Sequence, residues 1–87
     1  MPARPHPRLI LLGQRLRQLR EARGISQEDF ALESGLARSY YSGIERGQRN
    51  VASLNLIRIA DALNCEVGDL FPRIRELRAT SVAKSRA

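Results

Sequence analysis

Arg38, Ser39, Ser42 and Arg46, with Tyr40 among them, fall close together inside the segment QEDFALESGLARSYYSGIERG that spans residues 27–47. At helical spacing they share one side and leave Tyr41 and Ile44 on the other. The chemistry open to these residue types is recognition. A planar guanidinium offers a fork of donors, and a hydroxyl donates or accepts single hydrogen bonds. No packed core requires such a face. The plain alternative is a solvated basic face, which is what arginine clusters usually are, and Tyr40 also reads as ordinary surface. Covalent chemistry lacks its parts. His6 is the one histidine and stands between prolines, Cys65 is the one cysteine, and the carboxylates do not cluster. No acid-base pair, nucleophile or metal site is evident, so no enzyme activity, cofactor or metal is expected.

Net charge is +6, and its distribution says more than its size. Residues 9–72 hold eight arginines (15, 17, 20, 23, 38, 46, 49, 58) against eight acids (21, 28, 29, 33, 45, 61, 66, 69). A body of zero formal charge cannot hold a polyanion by bulk attraction, so it must do so by where its arginines point. The excess sits at the ends: Arg4 and Arg8 on one side, and five basic residues against Glu76 over 73–87 on the other. The tail arginines 73, 75 and 78 read as a solvated end as readily as a contact. A single cysteine excludes an internal disulfide and fits a reducing cytoplasm. No apolar run approaches the roughly 18 residues a membrane span needs, and residues 1–8 lack the apolar stretch of a secretion signal.

Five helices and a core must position the arginine face. With 87 residues the chain has room for one domain. Its four aromatic residues leave Leu, Ile and Ala to fill the interior, which suits an all-α fold. MPARPHPR reads as a flexible arm over 1–8. Leu9, Leu12, Leu16 and Leu19 form one buried stripe of a first helix that Gly24 stops. Ser26 caps a second helix beginning at Gln27, with Asp29 three residues on, Phe30 and Ala31 facing inward, and a reversal at Gly35. Leu36 plugs the turn, and Arg38 to Arg46 makes a third helix that Gly47 closes. Ser53 caps a fourth, with Leu56, Ile59, Ala60 and Leu63 inward and Asn64 at its end. Glu66 to Phe71 makes a short fifth that Pro72 cuts off. Residues 73–79 can form a further helix, in a basic tail over 73–87 that is otherwise disordered.

Ala31 at a close helix approach, Gly35 at the turn, Leu36 as plug, and Tyr41 and Ile44 as anchors have the spacing of a helix-turn-helix over residues 27–46. The stretch from about Leu12 to Phe71 resembles the lambda repressor and Cro-type (xenobiotic-response-element-like) regulators. It includes the Q-x-x-x-A-x-x-x-G of Gln27, Ala31 and Gly35 and the I-E-R-G of Ile44 to Gly47. RSYYSGIERGQRN, followed by a helix ending IADAL, is most similar to the controller proteins of restriction-modification systems. Two departures stand out: Tyr41 where Ile or Val is usual, and Ala52 where a capping Ser or Thr often stands.

The resemblance implies a five-helix lambda repressor-like domain that binds double-stranded DNA as a homodimer on a two-fold operator. It puts Gln27 on a phosphate at the second helix's N-terminus. Arg38 and Ser39 come at the start of the recognition helix, where an Arg fork can bond both acceptors of a guanine edge. Tyr40 is implied on a sugar or phosphate, Ser42 on a base or backbone oxygen, and Arg46, Arg49 and Asn50 on flanking phosphates. Gly43 stands where relatives often read a base, and it can read nothing. Glu45 is implied to pair with Arg20. The dimer contact falls near the fifth helix, at Leu70 and Phe71, extended by Ile74 and Leu77. With no room for a sensing domain, control is expected from dimer concentration or a partner such as RNA polymerase. Two other readings compete. An antitoxin would hold a partner toxin and have a toxin-like neighbouring gene, and an adaptor recruiting proteins would bind DNA only weakly, without sequence preference, in a gel shift.

Overall fold

The computed structural model describes residues 6–72, all helix, turn and loop. The chain runs through α1 (Pro7–Ala22), α2 (Gln27–Ser34), α3 (Arg38–Glu45), α4 (Ser53–Leu63) and a 3-10 helix (Val67–Leu70). Residues 1–5 and the tail 73–87, with Ile74, Leu77 and the expected helix over 73–79, lie outside the described residues. No helix among the described residues is long and apolar enough to cross a membrane.

α1 starts earlier than the prolines suggest. Pro7 occupies its first turn, and the backbone amide of Arg8 donates to Nδ1 of His6, 3.1 Å away, at the N-cap. A first-turn amide has no helical partner in any case, so a proline there costs nothing and its fixed φ favours the helix. The expected arm therefore loses His6, Pro7 and Arg8 to α1. Ser26 caps α2 by accepting from the amide of Asp29, 3.1 Å. Gly35 ends α2 at φ +72°, a left-handed conformation in which a side chain would be strained. α3 stops at Glu45, with Arg46 as its cap, one residue short of expectation. The N-cap of α4 is Ala52 and not Ser53, which is already helical, so that end lacks a side-chain bond. Asn64 closes α4 at φ 55°.

Among the described residues there are four α-helices, so the five-helix expectation is corrected. The fifth element is one 3-10 stretch of four residues. Its ends leave no room for a second turn: Asp69 Oδ2 accepts from the amide of Glu66, 3.1 Å, at the start, and Phe71 is already extended before Pro72.

Leu12 and Leu16 of α1, Phe30 and Ala31 of α2, Tyr41 and Ile44 of α3, Ile59 and Ala60 of α4, and Leu70 make a single core. The rings of Phe30 and Tyr41 tilt at 55° with centroids 5.1 Å apart. α3 packs against both α1 and α2, and α4 packs against α2 and the 3-10 helix. Burying one Leu or Phe fully contributes about 1.5 to 3 kcal/mol, so these nine side chains set which way α3 faces. Arg15 Nε donates to the backbone carbonyl of Asp69, 3.2 Å, and Arg23 Nη1 donates to that of Ala62, tying α1 and its cap to the C-terminal elements.

Candidate nucleic-acid interface

Packing first decides the inward side of α3. Tyr41 and Ile44 are in the core, and Glu45 is buried between α1 and α2. Arg20 of α1 meets it with two bonds, Nε to Oε2 at 2.7 Å and Nη2 to Oε1 at 3.1 Å. Its remaining Nη1 donates to the carbonyl of Ile25, 2.7 Å. Gln27 Nε2 donates to Glu45 Oε1 from a third direction, 2.9 Å. One ion pair thus joins α1, the loop after it, the start of α2 and the end of α3.

The electrostatics follow from this geometry. Burial opposes the charge on Glu45, but bonding from Arg20, then Gln27, outweighs it and holds the carboxyl below its ordinary range. The bond to Glu45, opposed by burial, raises Arg20. Tyr41's hydroxyl is buried with no hydrogen bond of good geometry, and burial, then Glu45, pushes its pKa well up. The phenol stays neutral.

α1 can approach this end of α3 because residue 13 is glycine. A Cβ at Gly13 would lie 2.5 Å from the carbonyl oxygen of Ile44, and closer still to that of Glu45. Sequence reasoning passed over Gly13. A glycine inside an otherwise regular helical pattern was the available signal.

The outward side is arranged differently. Arg38 and Ser39 are exposed in the first turn, and Arg38 has no hydrogen bond or ion pair to any described residue. Ser42 is half-buried, its Oγ accepting from Arg46 Nη1 at 2.8 Å. Arg46 Nε donates to Gln48 Oε1, 3.1 Å, so this arginine leans back along the helix. Tyr40 is half-buried at the edge of the face, and its hydroxyl accepts from Asn55 Nδ2 of α4, 3.1 Å. Arg49 and Asn50 are exposed just beyond. Arg38, Ser39, Ser42 and Arg46 therefore share a surface that runs on to Arg49 and Asn50. Gln27 stands apart, since one of its amide hydrogens is already committed to Glu45. The Asn55 contact was unforeseen, and nothing in the spacing signals it.

Leu70 must be corrected as a dimer-contact residue. It is 0% exposed and belongs to the core of its own chain, whereas Phe71 is 43% exposed. On α4, Leu54 and Ile57, outside the inward stripe of Leu56, Ile59, Ala60 and Leu63, are 57% and 47% exposed.

The comparisons agree with this architecture. A helix-turn-helix family model matches residues 16–70. The control protein C.MunI of a Mycoplasma species is 43% identical over 68 residues, covering 77% of this chain and 92% of C.MunI. The crystal structure of the restriction-modification controller C.AhdI from Aeromonas hydrophila superposes with a TM-score of 0.75 at 53% identity, over 76% of this chain and 100% of that one. The biofilm master regulator SinR, solved in complex with DNA, superposes with a TM-score of 0.65 at 37% identity, over 68% and 95% of the two chains. With most of its folded body covered by the family model, and a curated relative matched over nearly its whole length, this chain belongs to the helix-turn-helix family.

Proposed function

We propose that the protein is a sequence-specific, DNA-binding transcriptional regulator that acts in the cytoplasm as a homodimer on a two-fold operator. The observation that carries the reading is the division of α3: its inner side is bolted to α1 and α2 through Glu45, while Arg38 and Ser39 project free at its start. A short rod held in this way fits the major groove. Its first-turn arginine can bond both acceptors of a guanine edge, and Ser39 can take a neighbouring base or phosphate. Ser42 and Arg46 lie one turn on, with Tyr40 at the rim, and Arg46 and Asn50 are suited to flanking phosphates. Gln27 keeps one amide hydrogen to donate to a phosphate near the start of α2. The SinR complex supports DNA as the ligand, and the similarity to controller proteins favours the controller reading over an antitoxin.

The two recognition helices of a dimer would enter successive major grooves about one helical turn (~34 Å) apart. Among the exposed apolar side chains of the described residues, Phe71, Leu54 and Ile57 lie on or beside the C-terminal elements and are available for the dimer contact. Below the dimer dissociation constant the operator stays empty, and accumulation fills it steeply, which gives autoregulation with a delay. RNA polymerase is the partner such a switch would serve.

Selection of bound sites from a random DNA pool, together with sedimentation of the free protein, tests both parts. The expected result is a palindromic motif with half-sites one turn apart and a monomer-dimer equilibrium. A stable monomer that holds a half-site with undiminished affinity would overturn the dimer switch, and recovery of no motif would overturn sequence-specific binding.

A further inference from the structure

Gly43 is buried although it lies one turn on from the exposed Ser39, and what covers it comes from outside the helix. Arg49, in the loop after α3, folds back across it. A Cβ placed on Gly43 would stand 2.9 Å from Arg49 Cγ, 3.4 Å from its Nε and 3.7 Å from its Cδ. The Arg49 guanidinium carbon lies 6.0 Å from the centre of the Tyr40 ring, at the outer range of a cation-π contact. Tyr40 is in turn held by Asn55 of α4 through the 3.1 Å bond to its hydroxyl. Arg49 makes no hydrogen bond to any described residue, so its donors are uncommitted while its stem and plane are not.

We propose that Gly43, Tyr40 and Asn55 form a cradle that presents Arg49 as a reader of base edges, a loop residue filling the place of the side chain α3 lacks at position 43. The proposal rests on the DNA-binding reading above and changes one role that the family resemblance implies, Arg49 on a flanking phosphate. A phosphate contact needs only a positive charge within reach, in any orientation. Discrimination between base edges needs the guanidinium plane held in register before contact, since a fork ordered only on binding gives up part of its gain in lost rotamer freedom. The cradle supplies that order. Arg49 reads, and Gly43, Tyr40 and Asn55 position it.

Site selection from a random DNA pool by the wild type, Arg49→Ala, Arg49→Lys, Gly43→Ala, Asn55→Ala and the double variant Gly43→Ala with Arg49→Ala tests this. Arg49→Ala should lose preference at one base pair of each half-site, by roughly 10-fold or more, with the rest of the motif kept. Arg49→Lys should lose the same preference while keeping the salt dependence, because the charge remains and the fork does not. Gly43→Ala displaces a flexible stem and not a backbone, and alanine is the better helix former, so the variant should fold at least as stably. It should nonetheless lose the preference at that same base pair and change nothing further in the Arg49→Ala background. Asn55→Ala, which releases the Tyr40 hydroxyl, should weaken that preference too. A motif unchanged by Arg49→Ala, whatever the overall affinity, overturns the proposal. So does a preference untouched by Gly43→Ala. If the wild type selects no motif, the DNA-binding reading falls and takes this with it. If the wild type selects a motif that Arg49→Ala shares, only this inference falls.

Discussion

Arg20 and Arg38 bear on opposite sides of the same short helix. Arg20 has both edges of its guanidinium closed by Glu45 and the carbonyl of Ile25, whereas Arg38 bonds to no described residue. The first is a strut, and the second is the probe of the proposed reading. A buried charge stays charged only if it is fully paired, which makes the inner side rigid and intolerant of change. An exposed charge keeps its hydration until a ligand replaces it, which leaves the outer side free to be altered with little cost to the fold. Loss of DNA binding can therefore arise from either arginine for unrelated reasons, and only a folding measurement tells them apart.

The largest effect should come from breaking the inner side. Glu45→Ala strands Arg20 in the interior and should destabilise the protein by about 3 to 5 kcal/mol in denaturant unfolding. A loss below about 1 kcal/mol would mean that the pair is solvated and does not orient α3. The pH dependence follows with a definite sign. Glu45 is depressed in the folded state, so its contribution is complete above the ordinary carboxyl value of 4.5 and is lost as pH falls through the lower folded value. Acid unfolding below about pH 4.5 should be shallower in Glu45→Gln than in the wild type. Next, Gly13→Ala should destabilise by about 1 to 3 kcal/mol although alanine is the better helix former, because the added methyl meets the backbone at the end of α3. A stabilised variant would show that α1 has room to move. The smallest effect belongs to the outer side: Arg46→Ala should weaken all DNA sequences alike and lower the salt slope by about one unit, with unfolding unchanged.

What could be read from the residues alone follows the same division. The bounds of α2 and the start of α3 were legible because Ser26 and Gly35 punctuate the chain, and Arg38 on the outer side follows from Tyr41 and Ile44 being apolar. The start of α1 is hidden in the sequence because proline reads as a barrier, when in a first turn it is no obstacle. Leu70 falls to the dimer contact only because the resemblance puts that contact near the fifth helix, and the fold shows that Leu70 turns in and Phe71 out. Gln27 could serve a phosphate or a carboxylate equally well by type. Its contact with Glu45 depends on two segments meeting in space, as do the Asn55 bond to Tyr40 and the seat of Arg49 on Gly43. Ser53 and Ala52 differ by one step, a scale at which capping preference does not decide.

The most direct test of the outward side of α3 as the reading surface is the ratio of affinities for the selected site and for scrambled DNA, measured by anisotropy titration for wild type and Arg38→Ala, with unfolding of the same preparations alongside. The expected result is a specific-site loss of about 1 to 3 kcal/mol confined to one base pair, scarcely changed affinity for scrambled DNA, and an unaltered unfolding curve. Equal losses on both DNAs, or none on either, would contradict it.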